Sequence, residues 1–320
     1  MSVGVADMWA DLRREARECL AGGRPLSNQL DAVTFNGERR LGLSSNEVQF
    51  LCVQFAFSYI CRRNSVQMST KIKQLQRQSQ ETPVLFSAWL GQQGLTRSEL
   101  ADFVRRNWLQ RIANGVYCFD GYTPTLYAVL YSYHKLLDKK YALGASTALG
   151  LRGFSHYGYI GEEPMFLYEP RGEHIPKWLK TSSFFANLEI FSTNLFSSSE
   201  VGIDLLEVGG YEVFASSPER AILEVLSLSP QYYSLMDAYY VTEMLTTLRV
   251  NLLQELLEMS RSVKVNRLLL YFADKAQLPW FRRLDVSKIN LGKGKRALAN
   301  PGVYVEKYQI TVPQELYDYE

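Results

Sequence analysis

The stretch Ser87–Phe119, SAWLGQQGLTRSELADFVRRNWLQRIANGVYCF, constrains the fold more than any other part of the chain. Thr96, followed three residues later by Glu99, is a capping box: hydroxyl and carboxylate satisfy backbone N–H groups at a helix start. Upstream, Phe86–Gln92 reads as a short helix closed by a turn at Gly94. Downstream, Leu109–Ala113 and Val116–Phe119 flank Asn114-Gly115, a two-residue hairpin signal. Helix, turn, capped helix and hairpin in that order predict a winged helix-turn-helix.

Leu100, Phe103, Val104 and Trp108 recur at helical spacing and form one apolar stripe. Ser98, Ala101, Asp102, Arg105 and Arg106 are left on the open face, which fits a major groove. Arg97 and Ser98, at the helix N-terminus, are placed for base edges, and Arg105 and Arg106 for phosphates. Asp102 is out of character there unless it pairs with Arg106, four residues on. Arg111 and Asn114 belong to the wing, within reach of backbone or minor groove. A basic helix over 68–80, STKIKQLQRQSQ, adds Lys71 and Lys73 and stops at Thr82-Pro83. Trp89 and Leu90 are expected beneath the capped helix, and Trp89 and Trp108 read as core rather than as stacking residues. The alternative is that helix pair and hairpin merely pack against the rest of the chain.

Charge narrows where nucleic acid can bind. The 320 residues carry a net charge of only +2, so a nucleic-acid surface must be local. Residues 68–120 supply one, with Lys71, Lys73, Arg77, Arg97, Arg105, Arg106 and Arg111 against Glu81, Glu99, Asp102 and Asp120. The length, with 47% hydrophobic residues, supports two packed domains. Cys19, Cys52, Cys61 and Cys118 have no paired spacing, and neither zinc site nor disulfide framework is expected. No secretory pattern opens the chain and Val48–Ile60 is too short to span a bilayer, so a reducing cytosol is the expected compartment.

Residues 1–67 hold eight arginines and no lysine, whereas all thirteen lysines lie from Lys71 onward. The regular pattern begins after Met68, and the natural product is expected to begin there, with an accessory helical arm as the alternative. Beyond Asp120 a larger mixed α/β region is predicted over 121–320. It comprises helices at Thr125–Leu137 and 142–153, strands at Met165–Glu169, Ala186–Phe191, Ile203–Glu207 and Tyr211–Ala215, and a helix started by Ser216-Ser217-Pro218-Glu219. Helices near 235–246, 249–260 and 263–274 and a closing strand at Val303–Thr311 follow. The fold class is therefore α+β: a small N-terminal module at 68–120, then the larger region.

No set of residues amounts to an active site. Gly292-Lys293-Gly294-Lys295 lacks the spacing of a phosphate loop and its following Ser or Thr, and reads as a basic surface turn. Glu162 and Glu163 read as solvated acids. His156 has no nucleophile or orienting acid that can be named around it. Tyr127 and Tyr131 sit four apart on one helix face, as ordinary packing residues. No enzyme and no cofactor is expected.

Taken together, six blocks resemble the AbiEi antitoxin family of bacterial type IV toxin-antitoxin systems. They are SAWLGQQGLTRSELADFVRRNWLQRIANGVY, ALGASTALGLRGFSHYGYI, HIPKWLK at 174–180, SSPERAILEVL at 216–226, VKVNRLLLYFADKAQLPW at 263–280 and INLGKGKRALANPGVYVEKYQITVP at 289–313. The likeness runs from Met68 to Pro313 and leaves out the leader. It implies a winged helix that binds inverted repeats in double-stranded promoter DNA and represses its own operon, pairing on the repeat. It also implies a C-terminal region that counters a nucleotidyltransferase-like toxin. On this chain the DNA readers would be Arg97, Ser98, Arg105 and Arg106, with Arg111 in the wing. Lys264, Arg267, Lys293, Lys295 and Arg296 are the candidates for an antitoxin surface facing an acidic partner or RNA. A protein-binding module that holds the toxin without touching DNA is the alternative.

Overall fold

The computed structural model describes residues 70–78, 82–154, 164–170, 172–182, 184–185, 187–192 and 194–319. The expectations for residues 1–67, for His156 and for Glu162 and Glu163 lie outside the described residues. The chain divides into two compact units, Met1–Gln78 and Ser79–Glu320. Of the first, helix α1 (Thr70–Gln78) is described, with Ile72 and Leu75 buried and Lys73 exposed.

The second unit opens with β1 (Val84–Phe86), α2 (Ser87–Gln92), α3 (Arg97–Arg105), β2 (Leu109–Ala113) and β3 (Val116–Phe119). The three strands form one antiparallel sheet in the order β1-β3-β2, with Val84 opposite Cys118 and Leu109 opposite Phe119. β1 corrects the expectation that Phe86 starts the helix. Its three buried residues form a short all-apolar run with no period to separate it from the helix that follows. Leu90, Leu95, Leu100 and Phe103 fill the space behind α3, and Trp89 and Trp108 are only half-buried. That overturns the assignment of both tryptophans to the core. Trp108 lies against Phe103 at the rim, ring centroids 5.5 Å apart.

Helix α4 (Leu126–Leu137), capped by Thr125, joins this sheet to a second one. Val84 N–H donates to the buried Ser132 hydroxyl, and the Phe86 ring stacks 4.1 Å from Tyr133. The second sheet comprises β4 (Ala142–Leu143), β5 (Met165–Glu169), β6 (Leu188–Ser192), β7 (Ile203–Val208) and β8 (Tyr211–Ser216), in the order β6-β5-β4-β8-β7. β4 runs parallel to β8 and β5 parallel to β6, while β4-β5 and β7-β8 are antiparallel. Phe214 meets His134 of α4 edge-on, so its neighbours Val213 and Ala215 point to the other face. β4 and helix α5 (Ala145–Gly150) occupy the segment expected to be one helix. Helix α6 (Lys177–Thr181) precedes β6.

Four helices follow: α7 (Pro218–Leu228), α8 (Leu235–Met244), α9 (Val250–Met259) and α10 (Val263–Lys275). Ser217, Ser234 and Ser262 cap α7, α8 and α10, each accepting a backbone N–H of the first turn. α10 is the inner helix, for every residue from Val265 to Ala273 is buried. Within α7 the Arg220–Glu224 pair is wholly buried: Nε donates to Oε1 at 2.8 Å, and the guanidinium lies between the rings of Tyr168 and Phe196. The other Glu224 oxygen accepts from Ala145 N–H and from the Ser216 hydroxyl, tying α7 to the β4–α5 corner. A last sheet, β10-β11-β9, is made from β9 (Arg296–Ala297), β10 (Val303–Val305) and β11 (Ile310–Val312), and α11 (Gln314–Asp318) ends the described chain. The closing strand expected at Val303–Thr311 is broken because Gln309 turns left-handed at φ 53°. No helix among the described residues is long and apolar enough to cross a membrane.

Candidate nucleic-acid interface

α3 begins where the capping box set it. Thr96 Oγ1 accepts from Glu99 N–H, and Glu99 Oε2 accepts from Thr96 N–H at 2.9 Å. This fixes Arg97 and Ser98 in the first turn, both exposed, with the Arg97 guanidinium making no hydrogen bond or ion pair among the described residues. Helix N-termini present unpaired N–H groups to anions, so this end suits a phosphate or an acceptor on a base edge.

One turn on, the face is less free than its arginines suggest. Asp102 binds both: Oδ2 accepts from Arg106 Nε at 2.7 Å, and Oδ1 pairs with Arg105. The expected partnership with Arg106 is present, and Arg105 joins it because residues three and four apart share a helix face. Both guanidinium groups remain solvated, with 78% of the Arg105 side chain and 56% of the Arg106 side chain exposed. Arg106 also lies over the Trp108 ring, 5.5 Å from its centroid, so the half-buried tryptophan steadies this cation.

The β2–β3 hairpin presents Arg111 and Asn114. Arg111 donates to Asn114 Oδ1 at 2.6 Å and to Ala113 C=O, so the two candidate wing residues hold each other at the tip. A bulge at Ile112 lies between Arg111 and Ala113, and Gly115 takes the left-handed φ of 73° that the turn requires. Gly115 C=O accepts from Ser87 N–H at 2.8 Å, which ties the hairpin tip to the start of α2. Cys118 faces inward in β3, and burial, helped by the Asp120 charge, pushes its thiol up to about 11. Lys71 lies on α1 with its side chain outside the described residues, and the exposed Lys73 belongs to the other compact unit.

The five cations offered as an antitoxin surface divide into two groups. Arg267 is 2% exposed and cannot face a partner. Its guanidinium donates to the carbonyls of Leu291 (2.7 Å), Gly294 (2.7 Å) and Gln309 (3.1 Å), clamping one loop onto another. Lys264 is half-buried, its ammonium donating to the Ser227 and Ser229 carbonyls, and burial lowers its pKa. Both are internal supports. An inner helix apolar on every side is the signal that marks a lone charge as buried. Lys293, Lys295 and Arg296 are exposed.

Two family models match successive parts of the chain. Residues 68–159 match the transcriptional regulator, AbiEi antitoxin N-terminal domain. Residues 162–313 match the transcriptional regulator, AbiEi antitoxin, of type IV toxin-antitoxin systems. No curated protein matches the chain. Among solved structures, the crystal structure of the RV2827C protein from Mycobacterium tuberculosis superposes with a TM-score of 0.54 at 14% identity, covering 77% of this chain and 92% of that one. At that identity it shows a likeness of fold. With the two matches running in order over both segments, the chain belongs to the AbiEi family of antitoxins and transcriptional regulators of type IV toxin-antitoxin systems.

Proposed function

We propose that the chain is a non-enzymatic, cytoplasmic antitoxin that represses its own operon, with a winged helix-turn-helix at 68–120 and an antitoxin region at 121–320. In this reading α3 enters the major groove of an inverted repeat in promoter DNA, and the hairpin lies against the adjacent backbone. Arg97 and Ser98 read base edges, while Arg105, Arg106, Arg111, Lys71 and Lys73 bind phosphates. The observation that carries it is the open, cation-bearing first turn of α3, fixed by its capping box and flanked by the hairpin. Two molecules pair on the two half-sites. The larger region counters a nucleotidyltransferase-like toxin through the exposed Lys293, Lys295 and Arg296.

A gel shift on the promoter fragment tests the DNA half. Arg97→Ala is expected to cost about 1–3 kcal/mol and to relax base preference at one position of each half-site. Unchanged retention of promoter DNA by this variant removes α3 from the interface.

A second reading draws on Asp102, whose carboxylate lowers the positive charge of the face. The same helix and hairpin would then grip protein, and the chain would hold its toxin directly without DNA. A stable toxin complex with no affinity for promoter DNA would favour it.

A further inference from the structure

Away from the α3 face, a cluster of unpaired positive charge lies on the glycine loop between α10 and β10. Lys293, Lys295 and Arg296 are exposed and form no ion pair among the described residues, whereas Lys288 and Lys307 nearby in sequence are paired with Asp285 and Asp274. The loop is also anchored. Asn266 and Arg267 hold it from below through the carbonyls of Asn290, Leu291 and Gly294. Gly292 has a left-handed φ of 60° and sits so close to Val263 that a Cβ would lie 2.8 Å from that side chain.

Two features favour a nucleic acid over an acidic protein. First, Arg267 and Lys264 are held by carbonyl oxygens alone, with no carboxylate within ion-pair distance among the described residues. Arg267 lies against the loop that it holds, and its charge, met by no carboxylate, adds to the field there, which attracts a densely charged polyanion. Second, Tyr304 is exposed and Lys295 Nζ lies over its ring, 4.5 Å from the centroid, so an aromatic side chain and a cation of the loop share one surface. Cations for the backbone beside an aromatic face for a base are the pairing that single strands need, because only unpaired bases can stack on a side chain.

We propose that Lys293, Lys295, Arg296 and Tyr304 form a binding surface for single-stranded nucleic acid, distinct from the α3 face. The three cations contact successive phosphates and Tyr304 stacks a base. This names the ligand of the antitoxin surface and rests on that reading only for its biological purpose.

The test uses the full chain with fluorescent oligouridylate and oligothymidylate of about twelve nucleotides, within the span of known single-strand sites. Anisotropy is followed across salt concentrations. Removing three phosphate contacts in K293A/K295A/R296A should flatten the log–log salt slope by about 2 units, at ~0.7 per contact. Tyr304→Ala should weaken binding at least about five-fold with the slope kept, since stacking is not an ionic contact. Preference for either oligonucleotide identifies RNA or DNA as the source, and both outcomes support the site. The proposal is overturned if the parent binds neither oligonucleotide, if the triple variant binds like the parent, or if unlabelled promoter duplex displaces the oligonucleotide. Growth rescue against the co-expressed toxin separates the two claims. A triple variant that loses the oligonucleotide yet still neutralises the toxin leaves the site standing and removes its antitoxin role. Lost rescue in the triple variant, where the parent itself binds no oligonucleotide, overturns the nucleic-acid site and makes the ligand of this surface a protein.

Discussion

Asp102→Asn is the most informative single change in the proposed DNA-reading face. In the parent, one carboxylate is shared by Arg105 and Arg106, so the three side chains carry one net positive charge. The amide keeps the size of the carboxylate and doubles that charge. The folding cost is small, because exposed helix pairs of this spacing contribute roughly 0.2–0.5 kcal/mol each. The gain on DNA is larger. In the proposed complex both arginines already meet phosphates, so the change adds one net positive charge to the interface and steepens the log–log slope by about 0.9. At about 0.1 M salt this corresponds to affinity for random duplex higher on the order of ten-fold, with a smaller gain on the operator and hence lower discrimination. In the proposed reading Asp102 restrains the arginines from binding any duplex they meet. The assay is anisotropy on promoter and scrambled duplexes across a salt series, with thermal melting to verify the fold. An unchanged slope would refute the placement of Arg105 and Arg106 at phosphates. Weaker binding to the operator would show instead that Asp102 holds the two arginines in their working pose.

Three further outcomes follow from the geometry. Arg267→Met removes a buried donor set but also relieves its desolvation. The net loss should be about 2 kcal/mol, or ~4–8 °C in Tm, with faster amide exchange over 292–298; unaltered exchange there would show that the loop does not depend on the clamp. Glu219 is nearly buried, which by itself would raise its pKa, yet the hydrogen bonds from Arg249 hold it below the ordinary 4.5. Its contribution is therefore present above about 4.5 and lost as pH falls through the lower folded value, so Arg249→Ala should cost ~1–3 kcal/mol at neutral pH, narrowing in acid; urea titrations at several pH values that show a constant gap would contradict this. Gly115→Ala places a side chain at φ 73°, with its Cβ 2.6 Å from Ser87 Oγ, and should cost about 1–2 kcal/mol by thermal melting. Because backbone strain dominates, adding Ser87→Ala should recover little of it.

Features set by short-range chemistry were readable before any coordinates. Thr96 and Glu99 located α3 to the residue, and Asn114-Gly115 located the hairpin, because both signals act within four residues. β1 was not readable, since Val84, Leu85 and Phe86 become a strand only by pairing with β3, with Val84 opposite Cys118 and Phe86 opposite Val116. Lys264 and Arg267 were misassigned for a similar reason. In VKVNRLLLYFA they resemble the polar stripe of a surface helix, but apolar residues on every side make α10 an inner helix, and only contact with the 290–294 loop shows where the guanidinium points. Trp89 and Trp108 failed in the opposite sense, because smaller side chains at Leu90 and Leu100 already close the space behind α3.

The link through α4 bears on operator architecture. Ser132 holds the backbone of β1, and Tyr133 stacks on Phe86, while the same helix lies against β8. Nothing along that path resembles a swivel. If two such molecules sit on one palindrome, the gap between its halves is dictated by solid protein rather than by slack tether. Inserting half a helical turn of DNA at the centre would then abolish joint occupancy instead of merely weakening it.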